Sequence, residues 1–217
     1  MNISRLVVVG ACLTISPLAS AHRVDEYLQA TRLSIDLDRV DVEIDLTPGI
    51  DLASTVFSMI DTNRDGEISS AEGEAYARQM LRSVVLKSDG LPASITLVES
   101  NFPEFSDMTL GVGTIRLRAT AKVPPVSSGR HELSYLNTHQ PESSVYLVNA
   151  LVPANPLIQI SDQRRDVAQH GITLGYSVAS SATLQSDRAF ALMAGFLMAG
   201  SLFLRCVYAR RFSPVRS

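Results

Sequence analysis

The fold is decided by two neighbouring segments, Leu33-Ser34-Ile35-Asp36-Leu37 and Val40-Asp41-Val42-Glu43-Ile44-Asp45-Leu46, in which apolar and polar residues alternate. Alternation with a period of two places the apolar side chains of a strand on one face. Asp38 and Arg39 lie between the segments, where a turn is expected. The pattern therefore predicts that residues 22–49 contain a β-hairpin with one buried face and one face in water.

Similar alternation recurs in six segments further along the chain. These segments are residues 94–98, 114–123, 132–136, 144–151, 157–160 and 172–178. Proline and glycine separate them, for example at Pro124-Pro125 and Ser128-Gly129, and such residues are typical of turns. Seven or eight short strands without intervening helices predict an antiparallel, immunoglobulin-like β-sandwich, which residues 89–180 would complete.

One polar loop, flanked by two helical patterns, interrupts the β pattern. Apolar residues recur at helical spacing before the loop, at Leu52, Val56, Met59 and Ile60, and after it, at Ala75, Met80, Leu81 and Val84. Residues 50–88 are therefore expected to form a helix–loop–helix unit inserted into the sandwich. This insertion makes the predicted fold class α+β.

The loop reads Asp61-Thr62-Asn63-Arg64-Asp65-Gly66-Glu67-Ile68-Ser69-Ser70-Ala71-Glu72. Oxygen-bearing side chains recur at alternate positions and end on a glutamate, and in this the loop resembles the EF-hand family. The resemblance implies a Ca²⁺ site with these ligands: the side chains of Asp61, Asn63, Asp65 and Glu72, the backbone carbonyl of Glu67, and Ser69 through a water molecule. Glu72 would bind with both carboxylate oxygens.

Two other positions in the loop have predicted structural roles. Gly66 lies where the chain must turn sharply, and glycine takes the required dihedral angles without a Cβ clash. Ile68 lies where the family has an aliphatic residue in a short strand. EF-hands usually pair through this position, and the sequence contains no second loop of this pattern. The hand is therefore expected to be single or to pair with another chain, with calcium in a structural role.

The first 21 residues are expected to be a signal peptide. Arg5 precedes an apolar run, and Ala19-Ser20-Ala21 match the small residues that precede a cleavage site. An alternative interpretation treats Cys12 as the lipid-modified cysteine of a lipoprotein. Cleavage after residue 21 would make His22 the mature N-terminus, where its amine and imidazole are candidate ligands for a transition metal.

A second apolar segment, residues 189–204, predicts a transmembrane helix over residues 189–209. Arg205 can extend toward the headgroups, so the following turn can complete the span. Four cations and no carboxylate follow the segment, at Arg205, Arg210, Arg211 and Arg216, as is typical of a cytoplasmic end. We therefore expect a bacterial inner-membrane protein with a periplasmic domain, a linker at 181–188 and a cytoplasmic tail at 210–217. The alternative is a buried core helix.

The composition of the exported body disfavours several functions. Residues 22–188 contain 14 Lys and Arg against 22 Asp and Glu, a net charge of −8, which disfavours binding to nucleic acid. Both cysteines lie in the terminal apolar segments, so the body has no disulfide. His131, His139 and His170 lack zinc-ligand spacing, and no nucleophile elbow, phosphate loop or dinucleotide fingerprint is present. We therefore expect no enzymatic activity.

A second resemblance concerns the start of the mature chain. Ala21-His22-Arg23-Val24-Asp25-Glu26-Tyr27-Leu28-Gln29-Ala30-Thr31 is similar to the opening of exported domains attached to bacterial permeases of the hydrogenase and urease nickel-transport type. This resemblance implies an accessory domain beside a nickel or cobalt transporter, although one span cannot form a transport path. The sequence thus leaves three hypotheses. The first is a calcium-binding module that contacts another envelope protein, and the second is an accessory protein for transition-metal uptake. The third is an enzyme, which would need a concave cluster of acids that the sequence does not reveal.

Overall fold

The computed structural model describes residues 25–140 and 142–180, which form ten strands and three helices. The strands are β1 (Tyr27–Ile35), β2 (Arg39–Pro48), β3 (Val84–Ser88), β4 (Leu91–Ala93), β5 (Ile95–Asn101), β6 (Ile115–Lys122), β7 (Gly129–Asn137), β8 (Ser144–Ala150), β9 (Ile158–Arg165) and β10 (Gly171–Val178). The helices are α1 (Ile50–Ile60), α2 (Ser70–Leu81) and α3 (Phe105–Thr109).

The predicted terminal segments lie outside this described part. They are the signal peptide at 1–21, the candidate ligand His22, the linker at 181–188, the transmembrane helix at 189–209 and the tail at 210–217. Within residues 25–140 and 142–180, no helix has the length and apolar composition needed to cross a membrane.

The strands form two five-stranded sheets, in the orders β5-β6-β2-β1-β8 and β4-β3-β7-β10-β9. The predicted hairpin is confirmed, because β1 and β2 pair antiparallel, with Ile35 opposite Val40. Every second residue of both strands is buried, and seven of these ten side chains, all but Gln29, Thr31 and Pro48, belong to one hydrophobic core that both sheets share. The predicted mostly-β architecture of two sheets is therefore confirmed.

The prediction of a purely antiparallel sandwich is wrong at one pair of strands. β8 runs parallel to β1, with Tyr27 opposite Ser144 and Leu33 opposite Ala150. The chain crosses from one sheet to the other between β7 and β8, so β8 reaches the edge of the first sheet in the same direction as β1. Alternating hydrophobicity carries no information on strand direction, because side chains alternate with a period of two in either orientation.

The predicted helix–loop–helix segment at 50–88 is too long at its C-terminal end. α2 ends at Leu81, and Val84, which lies at helical spacing, begins β3 and pairs with Asn137 of β7. β3 is alternately buried and begins with two β-branched residues, which favour strands. The sequence interpretation also missed two short elements, β4 and α3.

Both longer helices pack on the sandwich. α1 buries Ala53, Val56, Phe57 and Ile60, and α2 buries Gly73, Tyr76, Ala77, Met80 and Leu81. The apolar members of this set belong to the same core as the inward residues of the sheets. The helical insertion is therefore part of the fold and not a separate unit.

The two methionines of the insertion provide a test of this packing. Met80 is fully buried and Met59 is exposed. We expect Met80→Ala to lower the free energy of unfolding by about 2–5 kcal/mol, because it opens a cavity. Met59→Ala should change it by less than about 0.5 kcal/mol. Urea denaturation of both variants checks this, and equal losses would contradict a common core.

Candidate metal centre

Ser69 and Glu72 start the helix that follows the loop. Ser69 is the N-cap of α2, and its hydroxyl oxygen accepts a hydrogen bond from the backbone N–H of Glu72 at 3.3 Å. Glu72 Oε2 in turn accepts from the backbone N–H of Ser69 at 3.0 Å and from its hydroxyl at 2.7 Å. This reciprocal pair is a capping box, which the Ser-x-x-Glu spacing encodes.

The other carboxylate oxygen of Glu72 reaches the start of the loop. Oε1 accepts hydrogen bonds from the backbone N–H and hydroxyl of Thr62, at 2.8 and 3.0 Å, and from the backbone N–H of Asn63 at 3.2 Å. The hydrogen bonds from Ser69, followed by that from Asn63, stabilise the ionised form and lower the pKa of Glu72 to about 2. The last predicted ligand is therefore an anion at neutral pH and ties the two ends of the loop together.

The first half of the loop is organised by side-chain oxygens that accept backbone hydrogen bonds. Asp61 is buried, and its Oδ1 and Oδ2 accept from the N–H groups of Asp65 and Gly66 at 3.2 and 3.0 Å. Asn63 Oδ1 also accepts from the Asp65 N–H, at 3.0 Å, and Asp65 Oδ1 accepts from the N–H of Glu67 at 3.0 Å. A carboxylate oxygen has two acceptor sites, so one hydrogen bond leaves it able to accept further.

Gly66 has a backbone conformation that L-residues rarely adopt. Its φ is +88°, and the nearby Arg64 also has a positive φ, of 61°. A Cβ built on Gly66 would meet no atom within 4 Å. Alanine at Gly66 would therefore strain the backbone without a clash of its Cβ.

The far end of the loop rests on the edge strand β5. Ile68 packs on the hydrophobic core and, with Leu97 and Phe102, lines a cleft of about 360 Å³ between the loop, α2 and β5. A Cβ on Gly73 would lie 2.6 Å from Phe102 Cε2, so α2 approaches the ring as closely as its backbone allows. The position through which EF-hands usually pair thus packs on the chain's own core.

A buried polar cluster, which sequence reasoning missed, holds α2 from the other side. The Tyr76 hydroxyl lies 2.8 Å from that of Tyr27 and 3.2 Å from His139 Nε2. Burial raises the pKa of Tyr76 to about 12 and lowers that of His139 to about 4, so both are neutral at pH 7. These residues are separated by 49 and 63 positions, and no local pattern could have joined them.

The rings of the three histidines in the described part of the chain make separate contacts. His131 Nδ1 lies 2.7 Å from Asp89 Oδ2, and its Nε2 lies 2.9 Å from the carbonyl oxygen of Ser127. The His170 ring packs edge-on against Tyr146, with centroids 4.4 Å apart. Across residues 25–140 and 142–180, no group of three or more His, Cys, Asp or Glu side chains is placed so that it could hold a metal ion.

The donor chemistry of the loop nevertheless suits calcium. Within these twelve residues the predicted side-chain ligands are three carboxylates and one amide, from Asp61, Asn63, Asp65 and Glu72, and every predicted donor is an oxygen. Each of the three carboxylates accepts a hydrogen bond from a backbone N–H group of the loop itself. Calcium binding would require Glu72 to exchange some of these hydrogen bonds for the ion.

Comparison with known proteins assigns no family to the chain. No protein-family model matches the chain, no curated protein matches its sequence, and no solved structure matches its fold. The resemblances to the EF-hand family and to the exported domains of nickel permeases therefore stay predictions.

Substitution of Gly66 measures the strain at the turn. We expect Gly66→Ala to lower the free energy of unfolding by about 1–2 kcal/mol, because alanine is disfavoured at positive φ. Gly66→Asn should recover most of this loss, since asparagine tolerates the left-handed region. Thermal unfolding of both variants in chelator checks the order, and equal stability of wild type and Gly66→Ala would contradict it.

The hydrogen bonds of Glu72 predict a pH dependence. Its pKa falls from the ordinary 4.5 to about 2 in the folded state, so its contribution to stability is complete above pH 4.5 and is lost as pH falls toward 2. In chelator, the stability difference between wild type and Glu72→Gln should therefore shrink across this window. Urea unfolding from pH 2 to 6 measures it. A difference that does not vary with pH would show that the carboxylate is not held as described.

Proposed function

We propose that residues 61–72 form a calcium-binding EF-hand on an immunoglobulin-like sandwich. We further propose that this protein is a calcium-stabilised module, anchored in a bacterial inner membrane, that contacts another envelope protein from the periplasmic side. The observation that carries the calcium site is the position of Glu72, an ionised carboxylate hydrogen-bonded to both ends of the loop. It is the residue that would supply two of the calcium ligands.

The predicted ligand set favours calcium over magnesium. Calcium accepts six to eight oxygen ligands in a flexible shell, whereas magnesium requires a near-ideal octahedron and keeps several waters. Asp61 and Asp65 add two carboxylates, Asn63 an amide oxygen and Glu67 a carbonyl. A bidentate Glu72 fits the larger ion.

The packing of the flanking helices supports a structural role for the ion. Phe57 of α1 and Met80 of α2 are buried in the core, and Gly73 lies against Phe102. A change in the angle between the helices would expose these side chains to water, at a cost of about 1.5–3 kcal/mol for each large one. Calcium would therefore stabilise the existing arrangement. Extracellular EF-hands bind at about 10⁻⁴ to 10⁻³ M, which suits a site that stays filled outside the cytoplasm.

The location and the partner rest on the sequence. The signal peptide at 1–21 and the transmembrane helix at 189–209 support a periplasmic domain at the inner membrane. The alternative function in nickel or cobalt uptake rests on His22, which lies outside the described residues.

The melting temperature of residues 22–188, with and without millimolar calcium, tests the calcium site. A ligand at ten times its Kd stabilises the native state by about 1.4 kcal/mol, which raises the melting temperature by several degrees. We expect this shift in wild type and its loss in Glu72→Gln. Glu74→Gln is the matched control, because Glu74 is an exposed glutamate of the same helix that contacts Arg78 and not the loop.

Either of two results would refute the calcium site: no shift of the melting temperature in wild type, or an equal shift in Glu72→Gln.

Nickel titration of the same protein and of His22→Ala tests the alternative function. Tight nickel binding that the substitution abolishes would support it.

A further inference from the structure

An exposed apolar surface lies where α1 and α3 pack together. It is formed by Ile50, Phe105, Leu110 and Val112, and we call it the α1–α3 face. The Phe105 ring lies 4.7 Å from that of Phe57, and Ile50 Cγ1 lies 3.1 Å from the place of a Cβ on Gly111. α3 and the turn after it therefore extend along one side of α1. Leu110 and Val112, on either side of Gly111, are 69% and 71% exposed.

Leu110 and Val112 are held in this exposed position by the turn that carries them. The N–H groups of Val112 and Gly113 both donate to the carbonyl oxygen of Asp107, at 3.1 and 2.9 Å. Met108, two residues before Leu110, is fully buried and belongs to the hydrophobic core. The two apolar side chains therefore cannot move inward without breaking the turn. A partner would meet a preformed surface, which lowers the entropic cost of binding.

The two segments that form the α1–α3 face carry charges of one sign. Residues 49–60 and 102–114 contain Asp51, Glu104 and Asp107 and no Lys or Arg, and all three carboxylates are exposed. This rim repels an anionic lipid surface. It also disfavours the same face of a second copy, because like charges would then meet. A segment that carries both apolar and basic side chains complements the face.

We propose that the α1–α3 face is the docking site for an amphipathic, Lys- or Arg-rich segment of a partner protein. Apolar side chains of the segment would cover Leu110 and Val112, and its cations would lie near Glu104 and Asp107. This proposal rests on the proposed function, and it names the surface at which the envelope partner would bind. It does not depend on calcium, so binding measured in chelator separates this proposal from the calcium site.

The test uses the full chain in zwitterionic nanodiscs, with chelator present and empty nanodiscs as the blank. The probes are a synthetic amphipathic Leu/Lys helical peptide and a Leu/Glu peptide of equal length. Fluorescence anisotropy measures the binding of each peptide. We expect the Leu/Lys peptide to bind at least about ten-fold more tightly than the Leu/Glu peptide. The double variant L110S/V112S should weaken its binding by about ten-fold, since two apolar side chains lose their buried contact.

The matched control is V152S/V167S, which removes two exposed valines outside the α1–α3 face and should leave binding unchanged. E104Q/D107N should weaken binding several-fold at low salt and reduce its salt dependence. Equal binding by wild type and L110S/V112S would overturn the proposal. So would wild-type self-association that this double variant abolishes, or tighter binding to anionic vesicles than to the basic peptide. Unchanged melting curves of the variants in chelator establish that they fold.

Discussion

The hydroxyl of Tyr76 connects three parts of the fold that are far apart in the chain. It lies 2.8 Å from the hydroxyl of Tyr27 on β1 and 3.2 Å from Nε2 of His139, in the connection from β7 to β8. The His139 carbonyl oxygen accepts further hydrogen bonds from Gln29 and Tyr146, at 2.8 and 2.6 Å. A buried polar group left without a partner costs about 1–3 kcal/mol. The cluster is therefore stable only when the first strand, the second helix and the crossover between the sheets are all in place.

This constraint fixes the position of α2, and with it the end of the loop that precedes the helix. α2 is held between Tyr27 on one side and Phe102 on the other, so the N-terminus of the helix, with Ser69 and Glu72, has a defined position. Glu72 then acts in two ways with one carboxylate. One oxygen caps its own helix, and the other accepts the backbone N–H groups at the start of the loop. The loop is closed by these hydrogen bonds, and a bound cation would replace some of those that Glu72 accepts.

α1 links the proposed calcium loop to the α1–α3 face. The carbonyl oxygen of Phe57 accepts the backbone N–H of Asp61, the first residue of the loop, at 2.9 Å. The ring of the same Phe57 packs against Phe105. One buried residue thus supports the start of the loop through its backbone carbonyl and one border of the exposed face through its ring. Both surfaces belong to a helical insertion that is continuous with the core of the sandwich.

The sequence by itself determined the features that depend on near neighbours. The β1–β2 hairpin follows from the two alternating segments between Leu33 and Leu46, and the cap of α2 follows from the Ser69-x-x-Glu72 spacing. Only the tertiary structure decided that β8 lies parallel to β1, that Val84 starts a strand, and that Tyr76 meets His139. The physical reason is the range of each interaction. Periodicity and capping act within a few residues, whereas strand order and buried hydrogen bonds depend on which distant segments share the core.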